Sequence, residues 1–207
     1  MRTIQTTVYS FNELSEGAKK VAIEHFRSVQ DYSFIYDEAH ETVNKFHEIF
    51  NTKEGRTSWL DVYTDHIDDN ILELKGLRLR TYLLNNYKLW KPKFIKSFDH
   101  HLPAHRMIRN KTAKTTGAKY CFAYSNIKFE NSCVLTGVCY DDDILEPIYK
   151  FIEAPQEHVN FEMLLNDCFE NLEKAIKNEI ECRNSDIEII ETIEANSYEF
   201  TEGGELI

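Results

Sequence analysis

The sequence predicts an α+β fold: one domain in which a small antiparallel sheet is covered by several amphipathic helices. Three observations carry that prediction. Apolar residues recur at helical spacing in several stretches, above all between Phe161 and Ile180. Short β-branched or aromatic runs with a period of two stand between them, as at Ser58–Ile67. The 207 residues, with only seven Gly and four Pro, suffice for one sizeable core, and no repeat, linker or boundary divides them.

Ile4–Phe11 is β-branched and aromatic and reads as a first strand. Ser10 and Glu13 stand at capping-box spacing, and Leu14, Ala18, Val21, Ala22 and Phe26 form a helical stripe that ends near Ser28. Asp31 or Ser33 caps a second helix, whose buried stripe is Ile35, Ala39, Val43, Phe46 and Ile49 or Phe50. A turn at Thr52–Gly55 closes this helical pair. Ser58–Ile67 is expected as a strand, with Asn70–Leu74 as its partner across Asp68–Asp69. Arg78–Trp90 reads as a helix that Pro92 disrupts, and His100–Thr116 as a polar surface loop.

Further on, Ala118–Lys128 and Cys133–Tyr140 are expected to pair as antiparallel strands. Asp141, Asp142 and Asp143 then open a short helix, where the dipole favours acids. Asn160 caps the clearest helix of the chain. Phe161, Leu164, Leu165, Cys168, Leu172, Ala175, Ile176 and Ile180 lie on its inner stripe, while Glu162, Glu170, Glu173, Lys174 and Lys177 face outward. Ser185 caps a further helix to Ala195, and Ser197–Thr201 reads as a terminal strand.

Charge is distributed unevenly along this single domain, residues 1–207. Residues 75–128 hold thirteen Lys and Arg against one acid, Asp99, for a net charge of +12. Residues 1–74 carry −7 and residues 129–207 carry −16, the latter concentrated in acidic C-terminal helices over 142–195. Rings run through the basic centre, among them Tyr87, Trp90, Phe94, Phe98 and Tyr120. Cations that neutralise phosphates beside rings that stack on bases are what binding of single-stranded nucleic acid requires. The alternative is that this segment packs against the acidic flanks of its own chain.

Other classes lose their signals. No run approaches 18 apolar residues and Met1–Arg27 lacks a signal peptide's apolar centre, so a cytoplasmic protein is expected. Five cysteines without a C-x-x-C pair argue against a disulfide framework or zinc ribbon, and fit buried hydrophobes or free thiols. Neither a phosphate-binding loop nor a G-x-S-x-G elbow occurs, and Cys121 or Cys133 as a nucleophile would need a base that the sequence does not place. Asp99, His101 and His105 form the nearest approach to a metal site, although Pro103 interrupts any helix between the two histidines. His40 and His47 lack the spacing of a zinc hydrolase, and Asp61, Asp65, Asp68 and Asp69 lack the Gly and Glu of a calcium loop.

The two ends share a resemblance. Val8-Tyr9-Ser10-Phe11-Asn12-Glu13-Leu14-Ser15-Glu16-Gly17-Ala18-Lys19 is similar to the V-Y-x-F-x-E-L-S-x-x-A-K opening of a family of small phage and prophage proteins. Ala195-Asn196-Ser197-Tyr198-Glu199-Phe200-Thr201-Glu202-Gly203-Gly204 is similar to that family's closing A-N-x-Y-E-F-T-E-x-G. Its Gly-rich F-S-G-F-W-S-Q-G-D-G segment is matched loosely by Ser58–His66, without the glycines. Members are commonly labelled "antitoxin of a toxin–antitoxin stability system". The resemblance implies a phage accessory gene and a shared fold, and supplies no catalytic residues.

Together these observations lead us to expect a phage-encoded, non-catalytic binding protein without metal or cofactor. It would inhibit a host nucleic-acid-targeting defence effector, in the manner of an anti-CRISPR protein, by binding the effector or its guide-RNA complex. The residues expected at the interface are Lys88, Trp90, Lys91, Lys93, Lys96, Phe98, Arg106, Arg109, Lys111 and Lys114, with Glu170, Glu173 and Glu181 from the acidic helices. Alternatives are an antitoxin that neutralises a partner toxin, and a metal-dependent hydrolase using Asp99, His101 and His105.

Overall fold

The computed structural model describes residues 7–56, 58–87, 93–94, 127–128, 133–138 and 140–207. Seven α-helices and three two-stranded antiparallel sheets occur among them, the α+β class that the sequence predicts. None of these helices is long and apolar enough to cross a membrane.

The helical body follows the local signals closely. α1 (Glu16–Val29) is capped by Ser15, whose hydroxyl accepts the Ala18 N–H at 3.3 Å. The Ser10–Glu13 pair caps a separate 3-10 turn, Phe11–Glu13, with the Glu13 carboxylate accepting the Ser10 N–H and hydroxyl at 2.8 Å each. α2 (Ser33–Phe50) ends on Asn51, which adopts a left-handed conformation with φ 54°. α6 (Phe161–Arg183) begins on Asn160, whose side chain accepts the Met163 N–H at 2.8 Å. α7 (Asp186–Ala195) is capped by Ser185. One residue of the expected stripes is misplaced: Val21 is exposed, because the inner face of α1 runs through Ala18, Ala22 and Ile23.

The strands depart further from expectation. β2 (Lys53–Glu54) occupies the expected Thr52–Gly55 turn and pairs with β3 (Val62–Tyr63), the only part of Ser58–Ile67 that is extended into a ladder. Asn70–Leu74 is not its partner. Asp68 accepts the Asn70 N–H at 2.8 Å and starts α3 (Asp69–Leu72), since a local cap satisfies the backbone before a ladder can. α4 (Gly76–Asn86) replaces the expected Arg78–Trp90 helix, whose last residues, with the expected loop at His100–Thr116, lie outside the described residues.

The expected pairing of Ala118–Lys128 with Cys133–Tyr140 is overturned. β5 (Ile127–Lys128) pairs instead with β4 (Lys93–Phe94), Lys93 opposite Lys128. Residues 133–138 form a loop around Asp141, in the first turn of α5 (Tyr140–Glu153). The Asp141 carboxylate accepts the backbone N–H groups of Leu135, Thr136 and Gly137 at 2.7, 2.7 and 2.9 Å, so these donors are not free for a ladder. Asp141 is therefore fully buried, a placement that its position among three acids at a helix start does not reveal.

Two apolar clusters result. The larger joins α2, α4, α5 and α6 around Phe46, Phe50, Leu79, Ile144, Ile148, Phe161 and Leu165. The smaller joins the chain ends. β1 (Tyr9–Ser10) pairs with β6 (Glu199–Phe200), while Phe11, Leu14, Ala18, Ala22, Ile189, Ile193 and Phe200 pack together beneath them. α1 and α6 are tied by polar contacts: Arg27 Nε and Gln30 Nε2 donate to the Asn184 and Arg183 carbonyls at 3.1 Å each. These carbonyls end a helix and have no intrahelical donor.

Candidate partner-binding surface

Helices α5, α6 and α7 carry fifteen acids against four bases, Lys150, Lys174, Lys177 and Arg183. Packing of α5 on α6 buries the apolar stripes of both and fixes where those acids emerge. Asn171 of α6 donates to the Asp143 carbonyl at 2.6 Å and to the Glu146 carboxylate at 3.2 Å, pinning the seam. Tyr140 donates its hydroxyl to Glu179 across the same seam.

The acids converge there. Burial raises the Asp143 carboxyl above its ordinary range, and the neighbouring charges of Glu146, Asp142 and Glu179 raise it further. Burial and the bond to Glu179 push the Tyr140 hydroxyl upward, and Glu38 of α2 and Asp143 add to the effect. Glu146 is held below the usual carboxylate range by the bond from Lys150, at 2.9 Å. Glu179 is lowered on balance, its bonds from Tyr140 and Arg183 outweighing burial. Carboxylates of α5 and α6 thus meet at this junction, Glu38 of α2 adds its field at Tyr140, and Lys150, Lys174 and Arg183 offset part of the repulsion.

Of the expected acidic contacts, Glu170 and Glu181 are exposed on α6, with no ion pair to another described residue. Glu170 adds its charge to burial in raising the Asp167 carboxyl. Glu173 is tied to Lys177 at 2.6 Å. Lys174 and Lys177 lie between Glu170 and Glu181, so the outer ridge of α6 is mixed in sign. The seam of Glu38, Asp142, Asp143, Glu146 and Glu179 is the denser acidic locus, and sequence reading does not find it. Only Asp142, Asp143 and Glu146 carry a local signal, their i,i+4 and i,i+3 spacing.

Lys88, Trp90, Lys91, Lys96, Phe98, Arg106, Arg109, Lys111 and Lys114 lie outside the described residues, as do Asp99, His101, His105 and Cys121. Lys93 lies in β4. Among the described residues no group of three or more His, Cys, Asp or Glu could hold a metal ion. His40 is exposed and sets its ring edge-on to Trp59, whereas His47 stacks on Phe169 and its Nδ1 lies 2.8 Å from Thr52 Oγ1. Cys168 is buried, which pushes its thiol well up, and Cys182 is an exposed free thiol. No family model, curated protein or solved structure matches the chain.

Proposed function

We propose that this protein is a non-catalytic inhibitor of a nucleic-acid-targeting defence effector, working in the host cytoplasm and docking its acidic seam into the effector's cationic groove. The observation that carries the reading is the convergence of Glu38, Asp142, Asp143, Glu146 and Glu179 from α2, α5 and α6. A strip of carboxylates on packed helices presents fixed negative charge, as a phosphate backbone does. It should steer association with a cationic groove and exclude the groove's own nucleic acid. The similarity of both chain ends to phage proteins motivates the choice of target.

The test begins with a pull-down from cells that carry defence systems, followed by association kinetics with the captured effector. Glu38→Lys with Glu146→Lys is expected to slow association about ten-fold or more at low salt, with less effect as screening grows. The unmodified protein should displace nucleic acid from the effector. Capture of a toxin without a nucleic-acid groove would turn the reading to an antitoxin. Association indifferent to ionic strength and to both substitutions would overturn it.

A further inference from the structure

The joint between α2 and the β2–β3 ladder turns on a single titratable ring. His47 lies in the last turn of α2, and its carbonyl accepts the N–H groups of Asn51 and Thr52 as the helix ends. Its ring reaches the same joint, with Nδ1 2.8 Å from the hydroxyl of Thr52, a buried residue immediately before β2. The ring stacks on Phe169 of α6, with centroids 5.5 Å apart. Nε2 is buried and has no hydrogen-bond partner among the described residues. Among those residues, the charges that act on the ring are Glu54 of β2, which draws a proton to it, and His40 of α2, which repels one. α6 meets it through the apolar Phe169. The ladder itself is slight. It has two residue pairs, closed by the Gly55 N–H on the Asp61 carbonyl at 2.8 Å, and Asn51 Nδ2 donates to the His66 carbonyl at 3.3 Å. Trp59, Leu60, Val62 and Ile67 pack against the larger core only partly buried.

We propose that His47 is a proton-operated latch on the β2–β3 ladder: neutral, it holds the ladder to the helical body, and protonated, it releases the ladder while the helices stay packed. A protonated imidazole carries an N–H on both nitrogens. At Nε2 that N–H would face no acceptor, so the charged ring has to leave its place on Phe169 to reach water and the charge of Glu54. Leaving breaks the contact with Thr52 and strips a buried hydroxyl of its partner, at the residue from which β2 starts. Burial already lowers the proton affinity of the ring in the closed form. The closed form is therefore complete above the ordinary imidazole value of about 6.5 and is lost as pH falls through the lower value of the closed ring. Release stays local because the ladder's apolar side chains are half-buried. Phe46 and Phe50 of α2 and Phe161 and Leu165 of α6, by contrast, are fully buried against one another's helices. The latch involves none of the carboxylates of the acidic seam and does not depend on the function proposed for it.

The experiment is amide hydrogen exchange of the full chain at about pH 7.5 and about pH 5, with each protection factor corrected for the intrinsic exchange rate. The ladder amides are expected to lose protection about ten-fold or more on acidification, well beyond any change in α5 and α6. His47→Gln keeps a group that can hydrogen-bond Thr52 but cannot gain a charge, so its ladder should stay protected at both pH values. His40→Gln, which removes the other imidazole near the ladder, should keep the acid response. A titration of the imidazole nitrogens by NMR, on the unmodified chain, supplies a measurement that no variant can spoil: His47 should take up its proton in step with the shifts of the ladder amides. A ladder equally protected at both pH values would overturn the latch, as would equal losses in ladder and helices. So would an acid response that survives in His47→Gln, or a His47 ring that titrates apart from the ladder.

Discussion

Asp141 shows how one side chain can organise a whole loop. Besides the three backbone donors, its carboxylate accepts the hydroxyls of Thr136 at 2.7 Å and Thr42 at 3.1 Å, which ties residues 133–138 to both α5 and α2. Asp141→Ala would leave the Leu135, Thr136 and Gly137 N–H groups without their acceptor, the last two on exposed residues that water can reach. It is expected to cost about 1–3 kcal/mol in chemical denaturation and to accelerate proteolysis at 133–138. His47 sets a pH dependence. Burial lowers the basicity of its ring and nearby His40 lowers it further, against an opposing pull from Glu54. The fold therefore prefers the neutral imidazole. Its contribution is fully present above the unfolded value of about 6.5 and is lost as pH falls through the lower folded value. Stability should thus drop on acidification from about pH 7 to about pH 5, and His47→Gln should flatten that part of the profile. An identical acid limb in the variant would remove His47 from the account.

At the scale of elements, α5 and α6 are joined by a repair of the helix backbone. Pro147 lies inside α5 and lacks the N–H that would have bonded the Asp143 carbonyl one turn back. Asn171 of α6 supplies the missing donor at 2.6 Å. Replacing Asn171 with Leu is therefore expected to cost about 1–3 kcal/mol by orphaning a sheltered carbonyl. Pro147→Ala restores an intrahelical donor and should recover much of that loss. A double-mutant cycle measures the coupling, and purely additive effects would mean that the two residues act independently. The same junction holds Asp143 beside Glu146 and Glu179, so it also fixes the acidic strip proposed to meet the partner.

On the scale of the molecule, the two terminal stretches, residues 8–19 and 195–204, meet in one place. Tyr9 pairs with Phe200 and Ser10 with Glu199, and the Phe11 and Phe200 rings lie 6.3 Å apart. Gly204 closes the contact with φ 86°, and a Cβ there would stand 2.1 Å from the Ala18 carbonyl oxygen. Its role is to let the C-terminal turn touch α1, which identifies these stretches as two halves of a packing module. Gly204→Ala is expected to lower stability by about 1–3 kcal/mol, from the left-handed conformation together with the displaced backbone. A melting temperature equal to that of the unmodified chain would show that the turn can move away without cost.

The helices were legible because their evidence is local. Asn160 and Ser185 cap within four residues of themselves, and stripes such as Phe161–Leu165–Cys168–Leu172 declare the buried face of a helix wherever it packs; the Ser15 cap of α1 was masked by the Ser10–Glu13 pair one turn earlier. The charge division and the exposure of Glu170 and Glu181 were legible for the same reason. Strand partners were not, because a two-residue ladder such as Lys53–Glu54 with Val62–Tyr63 has too little pattern to compete with turn and cap signals. Asp141 reads as one more acid in a run of three until the loop that surrounds it is folded. The acidic seam needs Glu38, Asp143 and Glu179 from distant parts of the chain, and their convergence follows from the packing of α2, α5 and α6. Local sequence determined which segments are helical and which of their faces are charged. Tertiary packing alone decided which charges meet, because electrostatic repulsion and burial depend on distance in space.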